Sequence, residues 1–229
     1  MIRVLNLYSG IGGNRKLWRN VEVTAVELEP SIAKMYKLFF PQDRVVVCDA
    51  HEYLLEHFRE FDFIWSSPCC QTHSRMRKNI ACAVKPGHGR NAEPVYPDMR
   101  LYQEIIFLQH YFKGKWVVEN VISYYKPLIK PVIRQRHFIW ANFYIPKIAL
   151  EADNICGRNI PEREEKLGFD LSNFKSPSKR GPDRQRDCEK DKLLKNCVHP
   201  LLGKHILDCA FNVSQVCLLA VKASTEPKP

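Results

Sequence analysis

Through the first two thirds of the chain, short apolar runs alternate with stretches of helical period. Residues 2–8, Ile-Arg-Val-Leu-Asn-Leu-Tyr, read as a first strand that runs into Ser9-Gly10-Ile11-Gly12-Gly13 and then a helix over 14–20. Further strands over 21–26, 44–48, 61–65 and 115–118 alternate with helices over about 31–40, 51–58 and 98–111. Arg134-Gln135-Arg136-His137-Phe138-Ile139-Trp140 adds one more strand, with alternating basic residues at its start. Strand, helix and strand in repeated order predict an α/β fold: a doubly wound, mostly parallel sheet.

The pattern breaks over 143–195, where aromatics thin out, prolines recur and the tract from Lys175 to Lys195 carries both signs of charge. That composition predicts a small irregular lobe. Apolar period returns with Leu193, Leu194, Val198, Leu202, Ile206 and Phe211, as for a helix packing back on the sheet. The expected organisation is a main domain over 1–142, a reduced lobe over 143–192 and a returning segment over 193–229.

With 45% apolar residues in 229, the chain can bury a real core. No apolar run of about 18 residues occurs, and the N-terminus lacks the layout of a signal peptide, so a cytoplasmic protein without membrane contact is expected. Nine scattered cysteines suit a reducing compartment better than a disulfide framework. Cys188, Cys197 and His199 lack the paired spacing of zinc ligands, and no metal is expected. The formal charge of +10 favours a polyanionic partner, although charge alone does not select nucleic acid.

The chemistry gathers where strands end. A glycine-rich turn between strand and helix lets backbone N–H groups approach an anionic ligand, but Gly-x-Gly-Gly is short of the full dinucleotide fingerprint. Glu27 closes the second strand, where a carboxylate can accept from both ribose hydroxyls of a nucleoside cofactor. Asp49 closes the third and can receive the exocyclic amine of an adenine. After Phe61-Asp62-Phe63-Ile64-Trp65 the chain breaks at Ser66-Ser67-Pro68 and presents Cys69-Cys70-Gln71. These thiols read either as small residues buried in a tight turn or as a catalytic nucleophile at the ligand-binding edge of the sheet. Glu119, among apolar neighbours, has the setting of a carboxyl whose pKa is raised so that it donates a hydrogen bond. The polar loop 72–99, with Arg75, Arg77, Lys78, Lys85 and Arg90, is suited to close over a phosphate backbone.

In this order the pieces resemble the DNA (cytosine-5)-methyltransferase family. Asn6-Leu7-Tyr8-Ser9-Gly10-Ile11-Gly12-Gly13 is similar to its cofactor motif, Val26-Glu27 to its ribose-binding step and Cys48-Asp49-Ala50 to its adenine-contacting step. Ser67-Pro68-Cys69-Cys70-Gln71-Thr72-His73-Ser74 resembles the catalytic loop, with Cys69 in place of the usual proline; registering on Gln71 and Ser74 assigns the nucleophile to Cys70. Asp98-Met99-Arg100, Glu119-Asn120-Val121, Arg134-Gln135-Arg136 and Asn196-Cys197-Val198-His199-Pro200 are similar to the remaining motifs, while the region between the last two is unusually short.

The resemblance implies a Rossmann-like S-adenosylmethionine-dependent methyltransferase sheet with a small irregular recognition lobe. Its cofactor would lie against Tyr8, Ser9, Gly10, Ile11, Gly12, Gly13, Glu27, Leu28, Asp49, Ala50, Pro68, Asn196, Cys197 and Val198. Cys70, with a depressed thiol pKa, would attack carbon 6 of a flipped cytosine in duplex DNA. Glu119 would hold the base's N3 and amino edge, Arg136 its O2, with Arg134 in support. Gln71, Ser74, Arg75, Arg77, Lys78 and Arg90 would meet the DNA, and the protein would act as a monomer in a bacterial or phage-infected cell. A tRNA cytosine methyltransferase and a catalytically silent DNA-binding relative are the alternatives. A nicotinamide dehydrogenase ranks last, because it leaves the thiols and arginines unexplained.

Overall fold

The computed structural model describes residues 1–75, 96–150, 159–174 and 182–211. Seven strands form one sheet in the order β3-β2-β1-β4-β5-β7-β6: β1 (Ile2–Leu7), β2 (Val21–Val26), β3 (Arg44–Val46), β4 (Phe63–Ser66), β5 (Lys115–Val121), β6 (Val132–Arg134) and β7 (His137–Ala141). The pairs from β3 to β5 are parallel, whereas β7 runs antiparallel to β5 and β6 antiparallel to β7. The expected mostly parallel, doubly wound sheet is therefore present. The chain leaves β1 toward β2 on one side and returns to β4 on the other, so a crevice opens beyond the carboxyl ends of β1 and β4.

Alternation along the strands divides the core into two faces. Leu5, Leu7, Ile64 and Val118 point to helices α2 (Ala50–His57) and α3 (Arg100–Tyr111), where Leu54, Leu101, Ile105 and Leu108 are buried. Val4, Phe63, Trp65 and Val117 point the other way, to Trp18 and helix α6 (Pro200–Phe211) with Leu202, Ile206 and Ala210. Each of these large side chains contributes about 1.5–3 kcal/mol by leaving water. A third cluster joins Ile11 and Met35 of α1 (Pro30–Phe39) to Leu167, Phe169 and Leu171 around α4 (Ile160–Leu167), and to Leu194 and Cys197 at the end of α5 (Pro182–Asn196).

Several expected boundaries change. The helix over 14–20 is a chain of turns, with hydrogen bonds from Arg15 N to Gly12 O and from Trp18 N to Arg15 O, and it ends at Asn20 with φ +56°. Trp18 leaves the helical path because its ring packs against Phe63 and Trp65 and its indole N–H donates to Gly203 O at 3.0 Å. β5 continues past Val118 to Val121, because its backbone pairs with β7 as far as His137. The single strand over 134–140 is a hairpin, β6 and β7, turning at Gln135 with φ +51°. The stretch 143–192 holds α4 and most of α5, and the boundary at 192/193 falls inside α5. No described helix is long and apolar enough to cross a membrane.

Candidate active site

The exits from β1, β2, β4 and β5 open into one cleft of about 460 Å³. The glycine turn gives it Tyr8, Ser9, Gly10, Ile11 and Gly13, and the end of β2 gives Glu27. The exit of β4 gives Pro68, Cys69, Cys70 and Gln71, and β5 gives Glu119. Arg136 and His137 enter from the β6–β7 hairpin, and Asn196, Cys197 and Val198 close the far wall. Residues spread over most of the chain thus meet because the parallel strands end on one edge.

The cofactor side is a tight backbone cradle. Gly12 has φ +83°, and a Cβ there would stand 2.3 Å from the Phe40 ring, so only glycine fits. Tyr8 is held at φ +54°, a costly conformation for a side chain, while its hydroxyl donates to Glu104 Oε1 at 2.6 Å. Glu27 accepts from the backbone N–H of Gly10 at 2.9 Å and of Glu29 at 3.1 Å, and burial raises its pKa. Ser9 Oγ is buried in this wall without a partner among the described residues, as a group awaiting a polar ligand would be. Gly12, Leu28, Asp49 and Ala50 do not line the cleft. Asp49 instead caps α2, accepting from His51 N at 2.9 Å, and pairs with Arg100 Nη1 at 2.8 Å.

The thiol side of the cleft departs from sequence expectation in its charges. Burial, reinforced by the nearby Glu119 and Cys69, pushes the Cys70 thiol up to about 11 against the smaller pull of Arg136, so the free protein does not carry the depressed thiol that the resemblance implies. Glu119 is also reversed. Burial does oppose its charge, but the His137 imidazole, the Ser67 hydroxyl and Arg136 together outweigh it and hold the carboxyl below its usual range. Glu119 Oε1 meets His137 Nδ1, and Oε2 accepts from Ser67 Oγ at 3.0 Å. Asn120 Nδ2 donates to Pro68 O at 3.0 Å and ties the thiol turn to β5.

Arg136 Nη2 donates to the carbonyls of Lys195 at 2.9 Å and Cys197 at 3.0 Å, while its Nε is buried and has no partner among the described residues. Arg134 does not line the cleft: its guanidinium is spent on the carbonyls of Ile133, Ile145 and Pro146. Gln71 lines the cleft, Ser74 bridges to Ser123, and Arg75 is exposed. Thr72 Oγ1 accepts from Asp98 N at 2.9 Å, closing the base of the 72–99 loop. Arg77, Lys78 and Arg90 lie outside the described residues.

Sequence reasoning missed Ser67, His137 and Glu104. Glu104 is fully buried and accepts from Tyr8, Ser66 and, at 3.1 Å, His51, so one carboxylate joins the turn after β1 to β4 and α2. A signal for it exists: Glu104 stands three residues after Leu101 and four before Leu108, on the apolar stripe of α3.

Residues 2–92 match the family model of the C-5 cytosine-specific DNA methylases. No curated protein matches the chain. Among solved structures, Entamoeba histolytica methyltransferase EhMeth aligns with a TM-score of 0.51 at 14% identity, over 93% of this chain and 98% of that one. A Spodoptera frugiperda DNMT2 mutant aligns at 0.38 and 23% identity over 53% of this chain and 36% of that one. A protein described as a DNA modification methyltransferase of an E. coli prophage aligns at 0.36 and 18% identity over 55% of this chain and 34% of that one. The chain spans about a third of the length of the last two. The cofactor that family and fold imply is S-adenosylmethionine, and the glycine cradle, Glu27 and the orphaned Ser9 hydroxyl fit it. Residues 2–92 are thus similar to the C-5 cytosine-specific DNA methylases and supply four strands of a seven-stranded Rossmann-like sheet.

Proposed function

We propose that this protein transfers a methyl group to carbon 5 of a cytosine flipped out of duplex DNA, through a covalent adduct on Cys70. The supporting observation is that Cys70, Glu119 and Arg136 share one cleft with the glycine cradle and Glu27. Ser9, the glycine turn, Glu27, Pro68 and residues 196–198 would hold S-adenosylmethionine. When bound, it supplies an electrophilic methyl group. Carbon 5 of cytosine is too weak a nucleophile to accept it unaided, and addition of a thiolate at carbon 6 supplies the missing electron density.

In this reading the Cys70 thiol proton passes to N3 of the base as sulfur bonds to carbon 6 and the ring's π pair moves to carbon 5. The ionised Glu119 accepts from the exocyclic amine and from the N3–H so formed. The free Nε–H of Arg136 donates to O2. After methylation, loss of the carbon 5 proton to solvent and expulsion of the thiolate, which takes back the proton from N3, restore the ring and the free thiol. Gln71 stands at the cleft mouth beside the base of the 72–99 loop, on the side where the duplex would approach.

One observation favours a second reading. A buried thiol held near 11 beside Cys69 suits a relative that binds DNA and cofactor without forming an adduct. Labelled methyl transfer to mixed-sequence duplex and to tRNA, with nucleoside mass spectrometry, separates the readings. The expected result is 5-methylcytosine in duplex, lost in Cys70→Ser and kept in Cys69→Ser. Methylation of tRNA alone moves the substrate to RNA. Absence of product, with no adduct on a 5-fluorocytosine duplex, favours the silent relative.

A further inference from the structure

Neither the motifs nor the family match gives His137 a task. It opens β7, is 4% exposed, and lines the cleft that holds Cys70. In the antiparallel β5–β7 pair Val121 faces His137 and Glu119 faces Ile139, so His137 and Glu119 are diagonal neighbours on one face. Their side chains meet, Nδ1 to Oε1, while Ser67 Oγ holds Oε2 from the exit of β4.

The plain explanation is that two buried polar groups satisfy each other. Two observations go beyond it. The pair lines the cleft instead of sitting in the core behind it, and the second grip on Glu119 comes from the residue just before the Pro68-Cys69-Cys70 turn. The carboxylate is therefore fixed to both walls between which a base would insert.

We propose that His137 is a positioning residue for Glu119, donating from Nδ1 so that the carboxylate stays ionised and turned toward the amino edge of the bound base. An ionised carboxylate only accepts, so Nδ1 carries the proton. The arrangement also discriminates. Cytosine offers its amino group to such a carboxylate, whereas uracil offers a carbonyl oxygen that it repels. The charged and titratable groups facing Glu119 are His137 from β7, Arg136 from the hairpin turn and Cys70 from the β4 exit. The low pKa of Glu119 is consistent with this donation. The proposal rests on the cytosine reading given above.

The test compares wild type, His137→Phe and His137→Asn in two measurements: methyl transfer to duplex from pH 5.5 to 9, and the carbon-13 titration of the Glu119 carboxyl. Phenylalanine removes the donor, whereas asparagine restores an N–H near the place of Nδ1. His137→Phe is expected to lower kcat about 100-fold, the scale of losing one aimed donor, with KM for DNA and cofactor changed less than about threefold. Its acid limb and its Glu119 titration should both move up by about one pH unit. His137→Asn should recover about tenfold in kcat and bring both titrations back toward wild type. If His137→Phe is poorly folded, the asparagine variant alone carries the comparison, since a group that serves only to fill space predicts no return of the titration.

Transfer by wild type with an unmoved acid limb in His137→Phe overturns the positioning role alone. Lost activity with an unmoved Glu119 titration and no gain from asparagine does the same. Absence of transfer by wild type to either duplex or tRNA overturns the cytosine reading and the role together, while an unshifted carbon-13 titration would separately refute the donation.

Discussion

Replacing Gly203 with alanine tests the seam that holds the far wall of the cleft in place. Gly203 lies on α6 where that helix crosses the turns after β1, and a Cβ there would stand 2.2 Å from Asn14 O and 2.6 Å from Asn14 Cα. Ordinary contact begins near 3.4 Å, so the two backbones must separate by about 1.2 Å. Asn14 cannot retreat cheaply, because its buried side chain donates to Asn6 Oδ1 at 2.7 Å. The helix must move instead, and the 3.0 Å bond from Trp18 Nε1 to Gly203 O breaks. Overpacking costs about 1–3 kcal/mol. A buried indole N–H left unmatched costs about 1–3 kcal/mol more. Against this, alanine is favoured over glycine in a helix by about 1 kcal/mol. The net loss is about 1–5 kcal/mol, which lowers the Tm by roughly 2–20 °C for a chain of this size. Thermal unfolding followed by circular dichroism, with urea midpoints beside it, reads this directly. A Tm equal to or above that of wild type would mean that propensity wins and that the seam is not close-packed.

Three further outcomes are expected. Asp43 is buried and accepts from Arg15 Nε at 2.8 Å and Nη2 at 2.9 Å and from the Tyr36 hydroxyl at 2.8 Å, so Asp43→Ala should cost about 3–5 kcal/mol in urea unfolding by leaving an uncompensated guanidinium. A loss under about 1 kcal/mol would show the pair to be loosely solvated. Alkylation of Cys70 by iodoacetamide, followed by peptide mass spectrometry, should still be rising at pH 10, because burial keeps the thiol protonated up to about 11 and only the thiolate reacts. A plateau near pH 8 would contradict that charge state. With a formal charge of +10, affinity for duplex DNA should fall by about 10³-fold or more between 50 and 200 mM salt, and a flat response in fluorescence anisotropy would exclude phosphate contacts as its source.

The sheet was legible because buried parallel strands are written as short apolar runs. Ile2–Leu7, Val21–Val26 and Phe63–Ser66 stand out by composition alone, and polar residues mark the edge where the cleft opens. The cradle was legible for the same reason, since glycine, Glu27 and the thiols are local features at strand ends. The turns after β1 were not. Residues 14–20 have acceptable helical composition, and what denies them a helix is Trp18, pulled to Phe63, Trp65 and the carbonyl of Gly203, partners distant in sequence. Asp49 and Arg134 were placed at the site by motif position, yet their side chains are occupied by the α2 N-terminus, Arg100 and backbone carbonyls.

Two misreadings at the thiol side of the cleft have a common origin in Gln135. The two-residue turn Gln135-Arg136 carries none of the Asn-Gly or Asp-Gly chemistry that marks a tight hairpin, so residues 134–140 read as one strand. In the fold, Gln135 takes φ +51°, Arg134 pairs with His137, and β7 runs back along β5. That reversal brings His137 beside Glu119. Burial is the largest single influence on Glu119 and opposes its charge, as its apolar sequence neighbours suggest. The imidazole, joined by Ser67 and Arg136, outweighs it and holds the carboxyl below its usual range. The charge of the group that would face the base is thus decided by strand pairing across a turn, and no count of the neighbours of Glu119 in sequence contains it.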